Sequence, residues 1–154
     1  VTIVPRGDGP VPIDRIDVVG DMLAPPQPVA WSAHEQDSSH IAYAGAWRRF
    51  ADVAMSGGSH DWANSSAASA TFRTSGTRLR WIATTAPAYG TADLYVDDVL
   101  HSTVSLKSAS LAYQRVVFDT GTLPAATRTV TIVPRGDGPV PIDRIDVVGD
   151  MLAP

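Results

Sequence analysis

The sequence predicts an all-β chain: an antiparallel β-sandwich or jelly roll of about eight or nine strands, repeated in tandem with a period of 129 residues. Three observations predict it. The charged residues include 11 Arg against one Lys (Lys107), and 15 Asp against one Glu (Glu35). Lys and Glu are good helix formers, whereas Asp prefers caps and turns, and the Thr, Val, Ser, Gly and Pro that abound here belong to strands and the turns between them. Apolar residues recur at every second position along most of the chain, the period of a half-buried strand. Finally, VTIVPRGDGPVPIDRIDVVGDMLAP fills residues 1–25 and, letter for letter, residues 130–154, so that Val1 matches Val130.

Element by element, one or two strands are expected near residues 41–50. Ala68, Ala70 and Phe72 alternate with Ser69, Thr71 and Arg73, and Thr74-Ser75-Gly76 reads as a turn. Leu79, Trp81 and Ala83 alternate with Arg78 and Arg80. Ala92, Leu94 and Val96 alternate with Asp93, Tyr95 and Asp97, and Asp97-Asp98 is expected to close a tight hairpin. Leu100, Ser102, Val104 and Leu106 follow. Residues 113–118, 127–133 and 142–148 complete the set. Short strands at such spacing suggest a sandwich or jelly roll, and no stretch keeps a helical period.

The repeat divides the chain into the C-terminal strands of a preceding copy, residues 1–25, and one complete domain, residues 26–154. The junction, residues 24–30, contains Pro25, Pro26 and Pro28, which fix φ and remove donors, so a semi-rigid linker is expected. Alone, residues 1–25 cannot bury Val1, Ile3, Ile13, Ile16 and Val18; these are expected to assemble against neighbouring identical repeats or copies of the chain. The absence of Cys rules out a disulfide framework and thiolate zinc sites. Apolar runs fall well short of the roughly 18 residues of a membrane span. A net charge of −4 disfavours nucleic acid as a partner.

The runs Tyr43-Ala44-Gly45-Ala46-Trp47, Ser56-Gly57-Gly58-Ser59, Leu79-Arg80-Trp81-Ile82, Ala92-Asp93-Leu94-Tyr95-Val96-Asp97 and Tyr113-Gln114-Arg115-Val116-Val117-Phe118 together resemble a domain common in secreted actinobacterial proteins, one of the galactose-binding-like β-sandwiches that include many carbohydrate-binding modules. The resemblance spans about residues 43–148. It implies a jelly roll, an extracellular or cell-surface location and glycans as partners. The chain departs from the family pattern at the hairpin, where Asp97-Asp98 replaces the usual Asp-Gly. Because Asp tolerates positive φ less well than Gly, a different turn type is expected there.

Ser59-His60-Asp61 holds the residue types of a hydrolytic triad, but adjacent residues point different ways and cannot form the relay. His34, His40, His60 and His101 show no metal-ligand spacing, so no metal site and no cofactor are expected; the one option kept open is a structural Ca²⁺ on loop Asp residues. Arg135-Gly136-Asp137, copied at Arg6-Gly7-Asp8, reads as turn chemistry. Of the four Trp residues, Trp81 and Trp47 are expected in the core and Trp62 at the surface. Trp62 and Tyr89, with His60 and Asn64, form the candidate sugar-binding set, since a flat apolar ring beside hydrogen-bonding groups matches a pyranose. The sequence alone favours a non-enzymatic, structural or adhesive repeat of an extracellular stalk, with a multivalent carbohydrate-binding module as the alternative.

Overall fold

The computed structural model describes residues 29–153. The assembly residues Val1, Ile3, Ile13, Ile16 and Val18, and most of the linker, lie outside this span. The described residues are all-β, as the alternation predicted, and form eleven strands: β1 (Ser32–Glu35), β2 (Ala42–Ala44), β3 (Arg48–Ala51), β4 (Ser59–Ala63), β5 (Ser69–Thr85), β6 (Thr91–Val96), β7 (Val99–Ser105), β8 (Ala112–Asp119), β9 (Ala126–Pro134), β10 (Val140–Ile142) and β11 (Arg144–Leu152). No helix among them is long and apolar enough to cross a membrane.

An eight-stranded sheet runs β1-β11-β5-β9-β6-β7, with β2 and β8 also paired to β5. A three-stranded sheet, β10-β4-β3, forms the second layer. Every pairing between these strands is antiparallel. The core between the layers holds Phe72, Leu79, Trp81 and Ala83 of β5, Ala92 and Leu94 of β6, Ile132 of β9, Val140 and Ile142 of β10, and Ile145 and Val147 of β11. These are the apolar positions of the alternating segments, and Trp81 is wholly buried, as expected. Trp47 is only half-buried. It packs on the core rim, and its indole N–H donates to the Ala44 and Ser69 carbonyls.

The structure corrects two of the turn expectations. Thr74-Ser75-Gly76 is not a turn; β5 runs through it for 17 residues. Gly76 and Gly149 explain why. They face each other where β11 slips register between Val148 and Gly149, and a Cβ on Gly149, whose φ is +133°, would lie 2.6 Å from the Gly76 Cα. Two glycines let the strands stay paired across the bend. The hairpin also differs from expectation. Val96 pairs with Val99, leaving only Asp97 and Asp98 in the loop, and their φ values are +50° and +63°. Positive φ at both central residues is the signature of a type I′ turn, so the turn that Asp-Gly would make is made by two aspartates. Asp97 is held there by β9: its N–H donates to the Thr129 carbonyl, and its carboxylate accepts from the Thr129 N–H, both at 2.8 Å.

For an L-residue the left-handed region costs about 1–2 kcal/mol, part of which a glycine recovers after its larger unfolded-state entropy is counted. Asp98→Gly is therefore expected to raise stability by about 0.5–1 kcal/mol in urea unfolding. Asp97→Gly, which also deletes the Thr129 contact, should give no such gain.

Candidate functional site

The small sheet places the sequence-predicted residues. In β4 the side chains alternate, so His60 and Trp62 share one face and Asp61 the other. Antiparallel pairing with β3 sets Arg48 opposite Trp62 and Phe50 opposite His60; pairing with β10 sets Pro141 opposite Trp62. Asp61 is directed away, where its carboxylate takes two hydrogen bonds from the Arg49 guanidinium at 2.8 and 2.9 Å. Ser59, His60 and Asp61 thus form no catalytic relay.

Trp62 is the wall between two clefts. On one side, Phe50, His60, Trp62, Tyr89 and Pro139 line an apolar cleft of about 220 Å³. On the other, Ala46, Arg48, Trp62, Asn64 and Ser65 line a more polar one of about 280 Å³. Each is smaller than the roughly 300–1,000 Å³ of an enclosing small-molecule pocket, which suits a surface that meets one ring at a time. Trp62 and Tyr89 are half-buried, Phe50 is 52% exposed and Asn64 is exposed. All four residues of the expected sugar-binding set therefore lie on these two clefts, joined by Arg48, Phe50 and Pro139, which sequence reasoning missed. The strand pairing that brings residues 48 and 50 to 62 and 60 could have exposed them, because Arg48 and Phe50 alternate just as His60 and Trp62 do.

The polar groups have defined tasks. Asn64 Oδ1 accepts from the Gly138 N–H at 3.1 Å, which leaves its side-chain NH₂ free to donate into the cleft. The Arg48 guanidinium lies 5.7 Å from the Trp62 ring centroid, within cation–π range. His60 is only 2% exposed; its ring packs on Phe50 with centroids 5.8 Å apart, and Nδ1 lies 3.4 Å from the Thr84 hydroxyl. Burial lowers its pKa, and the neighbouring Asp61 charge opposes that only in part. His60 is thus the neutral floor of the apolar cleft rather than an exposed contact. Burial raises the Tyr89 phenol, which stays protonated and able to donate.

A second polar group of residues lies where β1 meets the β10–β11 junction. Asp143 is fully buried, and its Oδ2 accepts from the Ser56 N–H at 3.3 Å. Glu35 accepts from the Ser56 hydroxyl at 2.7 Å. Arg144 donates to that hydroxyl at 3.0 Å and to both Asp146 oxygens. Asp143 Oδ1 and Glu35 Oε2 are buried without a partner. Burial, helped by the Glu35 charge, pushes the Asp143 carboxyl up to about 6. Three carboxylates around one guanidinium leave uncompensated negative charge, and unpartnered carboxylate oxygens suit a hard cation such as Ca²⁺. No group of three or more His, Cys or acidic side chains converges on one point among the described residues. A cation here would take Glu35 and Asp143 and complete its shell from other oxygens. Of the loop aspartates, the sequence expectation for such an ion, three are engaged elsewhere: Asp137 of the Arg-Gly-Asp turn binds Thr91 and Lys107, Asp52 binds the Ala54 N–H and the Tyr113 hydroxyl, and Asp97 binds the Thr129 N–H.

Set beside known proteins, the sequence matches no family model. Over 123 residues it is 34% identical to the A type blood alpha-D-galactosamine galactosaminidase of Flavonifractor plautii, covering 80% of this chain and 11% of that protein. Over 108 residues it is 30% identical to the A type blood N-acetyl-alpha-D-galactosamine deacetylase of the same organism, covering 70% of this chain and 14% of that protein. Among solved structures, a family two carbohydrate esterase from Cellvibrio japonicus superposes with a TM-score of 0.60 at 15% identity, over 81% of this chain and 35% of that one. The CBM36-1 domain of a xylanase from the hindgut metagenome of Trinervitermes trinervoides superposes with a TM-score of 0.55 at 11% identity, over 79% of this chain and 98% of that one. The fold is therefore an antiparallel β-sandwich of the kind these two structures contain. The chain spans only 11% and 14% of the curated relatives it matches.

These matches correct the functional expectation. The relatives are named as carbohydrate-processing enzymes, not as stalks or adhesins, so the reading as a non-enzymatic structural repeat is overturned, and the denial of an enzymatic connection falls with it. The exact repetition on which that expectation rests does not report on the enzyme a sandwich accompanies.

The buried, neutral state of His60 has a measurable sign. Its folded pKa lies below the unfolded value of 6.5, so the unfolded chain binds more protons and stability falls as pH drops below 6.5. His60→Gln removes this contribution. In urea melts from about pH 7.5 to about pH 5.5, the variant should lose less stability than the parent; an unchanged slope would mean that His60 is solvated.

Proposed function

We propose that this chain is a glycan-holding β-sandwich of a secreted carbohydrate-processing enzyme, and that a sugar ring lies against Trp62. The observation that carries the reading is the convergence of Trp62, Tyr89 and Phe50, from three separate segments, on one apolar cleft beside the donors of Asn64 and Arg48. Aromatic faces supply most of the contact area when a pyranose binds, and flanking donors orient it. The names of the relatives support carbohydrate as the ligand class. Held on such a sandwich, a substrate is presented at raised local concentration to whatever active site shares the chain.

The reading is tested by glycan-array binding of residues 26–154. Trp62→Ala is expected to weaken every bound glycan at least about tenfold, with Tyr89→Ala and Phe50→Ala following to a smaller degree. Circular dichroism checks that each variant keeps the fold. Binding that survives all three substitutions rejects this surface.

We further propose that Glu35 and Asp143 hold a structural Ca²⁺. Binding to the folded state alone adds about 2.7 kcal/mol at a hundredfold excess over Kd, so millimolar Ca²⁺ should raise the melting temperature by several degrees and EDTA reverse it. Glu35→Gln should abolish the response; a melting temperature indifferent to both reagents removes the ion from the account.

A further inference from the structure

Resting on the proposed glycan surface, we infer that this site selects sugars carrying an anionic group, a carboxylate or a sulfate. The geometry comes from β3. Arg48 and Arg49 are consecutive, so they point to opposite faces of the small sheet. Arg49 is neutralised by Asp61 through two short hydrogen bonds. Arg48 is exposed, rests on the Trp62 ring, and among the described residues meets no carboxylate.

The lining of the two clefts is one-sided in charge. Among the described residues that line them, Arg48 is the only formally charged side chain; the rest are aromatic, aliphatic, proline, neutral His60, Asn64 and Ser65. Nearby acids are already engaged. Asp61 is held by Arg49 on the far face. Asp137, next to the Gly138 that Asn64 binds, accepts from Lys107 at 3.2 Å and from Thr91. A protein of net charge −4 thus presents a single fixed cation at the rim of its aromatic wall. A guanidinium is always charged and offers paired donors that match the two oxygens of a carboxylate or sulfate. With the ring on Trp62, an acidic substituent would reach Arg48, while the free Asn64 NH₂ would donate to a neighbouring hydroxyl. A ring bearing a free ammonium group would meet Arg48 and find no acid.

The decisive comparison uses oligogalacturonate, the same oligomer after its carboxyl groups are reduced to CH₂OH, an O-sulfated galactose oligomer, and galactosamine oligomers. Binding is measured by isothermal titration with the 154-residue chain, Arg48→Gln and Trp62→Ala. The acidic oligomer should bind about fivefold tighter than its reduced form, the ratio that about 1 kcal/mol of exposed ion pairing corresponds to. That ratio should shrink toward one in Arg48→Gln, and in the parent as salt rises from about 0.05 to about 0.5 M. A gain confined to the sulfated oligomer identifies the anion as sulfate. Galactosamine should bind most weakly.

Equal binding of acidic and reduced oligomers, with both lost in Trp62→Ala, would overturn the anionic preference and keep the glycan surface. An acidic preference that persists in Arg48→Gln would also overturn it. Binding of every oligomer that persists in Trp62→Ala, or no binding of any, would reject the surface and the preference together.

Discussion

A single 17-residue strand organises this molecule. β5 is hydrogen bonded to β2, β8, β9 and β11 at different points along its length. Its N-terminal half pairs with β9 and its C-terminal half with β8, so one unbroken strand joins both to the same large sheet. Phe72, Leu79, Trp81 and Ala83 therefore belong to one continuous ridge in the core. The close approach of Gly76 and Gly149 is the condition for this. With no Cβ on either, β11 can follow β5 through its bend, shifting register once instead of ending. The arrangement also fixes the chain ends of the domain, because β1 pairs with β11 and so sits on the same side of β5.

The candidate site is secondary to that frame. Val140 and Ile142 of β10 and Ala63 of β4 are buried, which anchors the small sheet through one face and leaves the other to the aromatic clefts. Arg49 and Asp61 then serve a sorting purpose: by pairing with each other away from the clefts, they leave Arg48 as the one charge beside Trp62. Tyr89 reaches the cleft from the loop between β5 and β6. That loop is held by backbone bonds from Tyr89 to Ala86 and from Gly90 to Pro139, so the phenol's position follows from backbone rather than side-chain constraints.

What the sequence disclosed, and what it withheld, follows from where the apolar signal lies. Alternation at residues 92–97 and 127–133 marked β6 and β9 because each buries Ala92 and Leu94, or Val130 and Ile132, at every second position; β7 buries Val104 alone and β8 no side chain fully, so their strand character rests on pairing with β6 and β5. β1 (SAHE) and β4 (SHDWA) gave no such signal. Their polar residues are stabilised by partners distant in sequence, Asp61 by Arg49 and Glu35 by Ser56, and a strand satisfied in that way does not look apolar. The break at Asp143 between β10 and β11 was hidden because Asp143-Arg144 lies between Ile142 and Ile145, which read as one apolar segment. Trp62 was readable as a candidate from its polar setting and Tyr89 from its loop, but Arg48 and Phe50 become part of the site only through the register of β3 on β4. Thr74-Ser75-Gly76 misled because a glycine that permits close strand packing carries the same letters as one that permits a turn.

The hairpin of two left-handed aspartates has a meaning beyond its own geometry. It joins β6 to β7, and β7 is the last strand of the large sheet, with Val99 68% and Leu100 53% exposed beside the loop. Among the described residues no strand pairs with its outer edge, and such an edge with apolar side chains invites another strand to add to it. Asp97 and Asp98 put two like charges at the tip of that edge, so a second copy adding in parallel, tip to tip, would bring four carboxylates together. Two carboxylates at the end of an edge strand thus oppose tip-to-tip pairing, which two glycines in the same turn would not do.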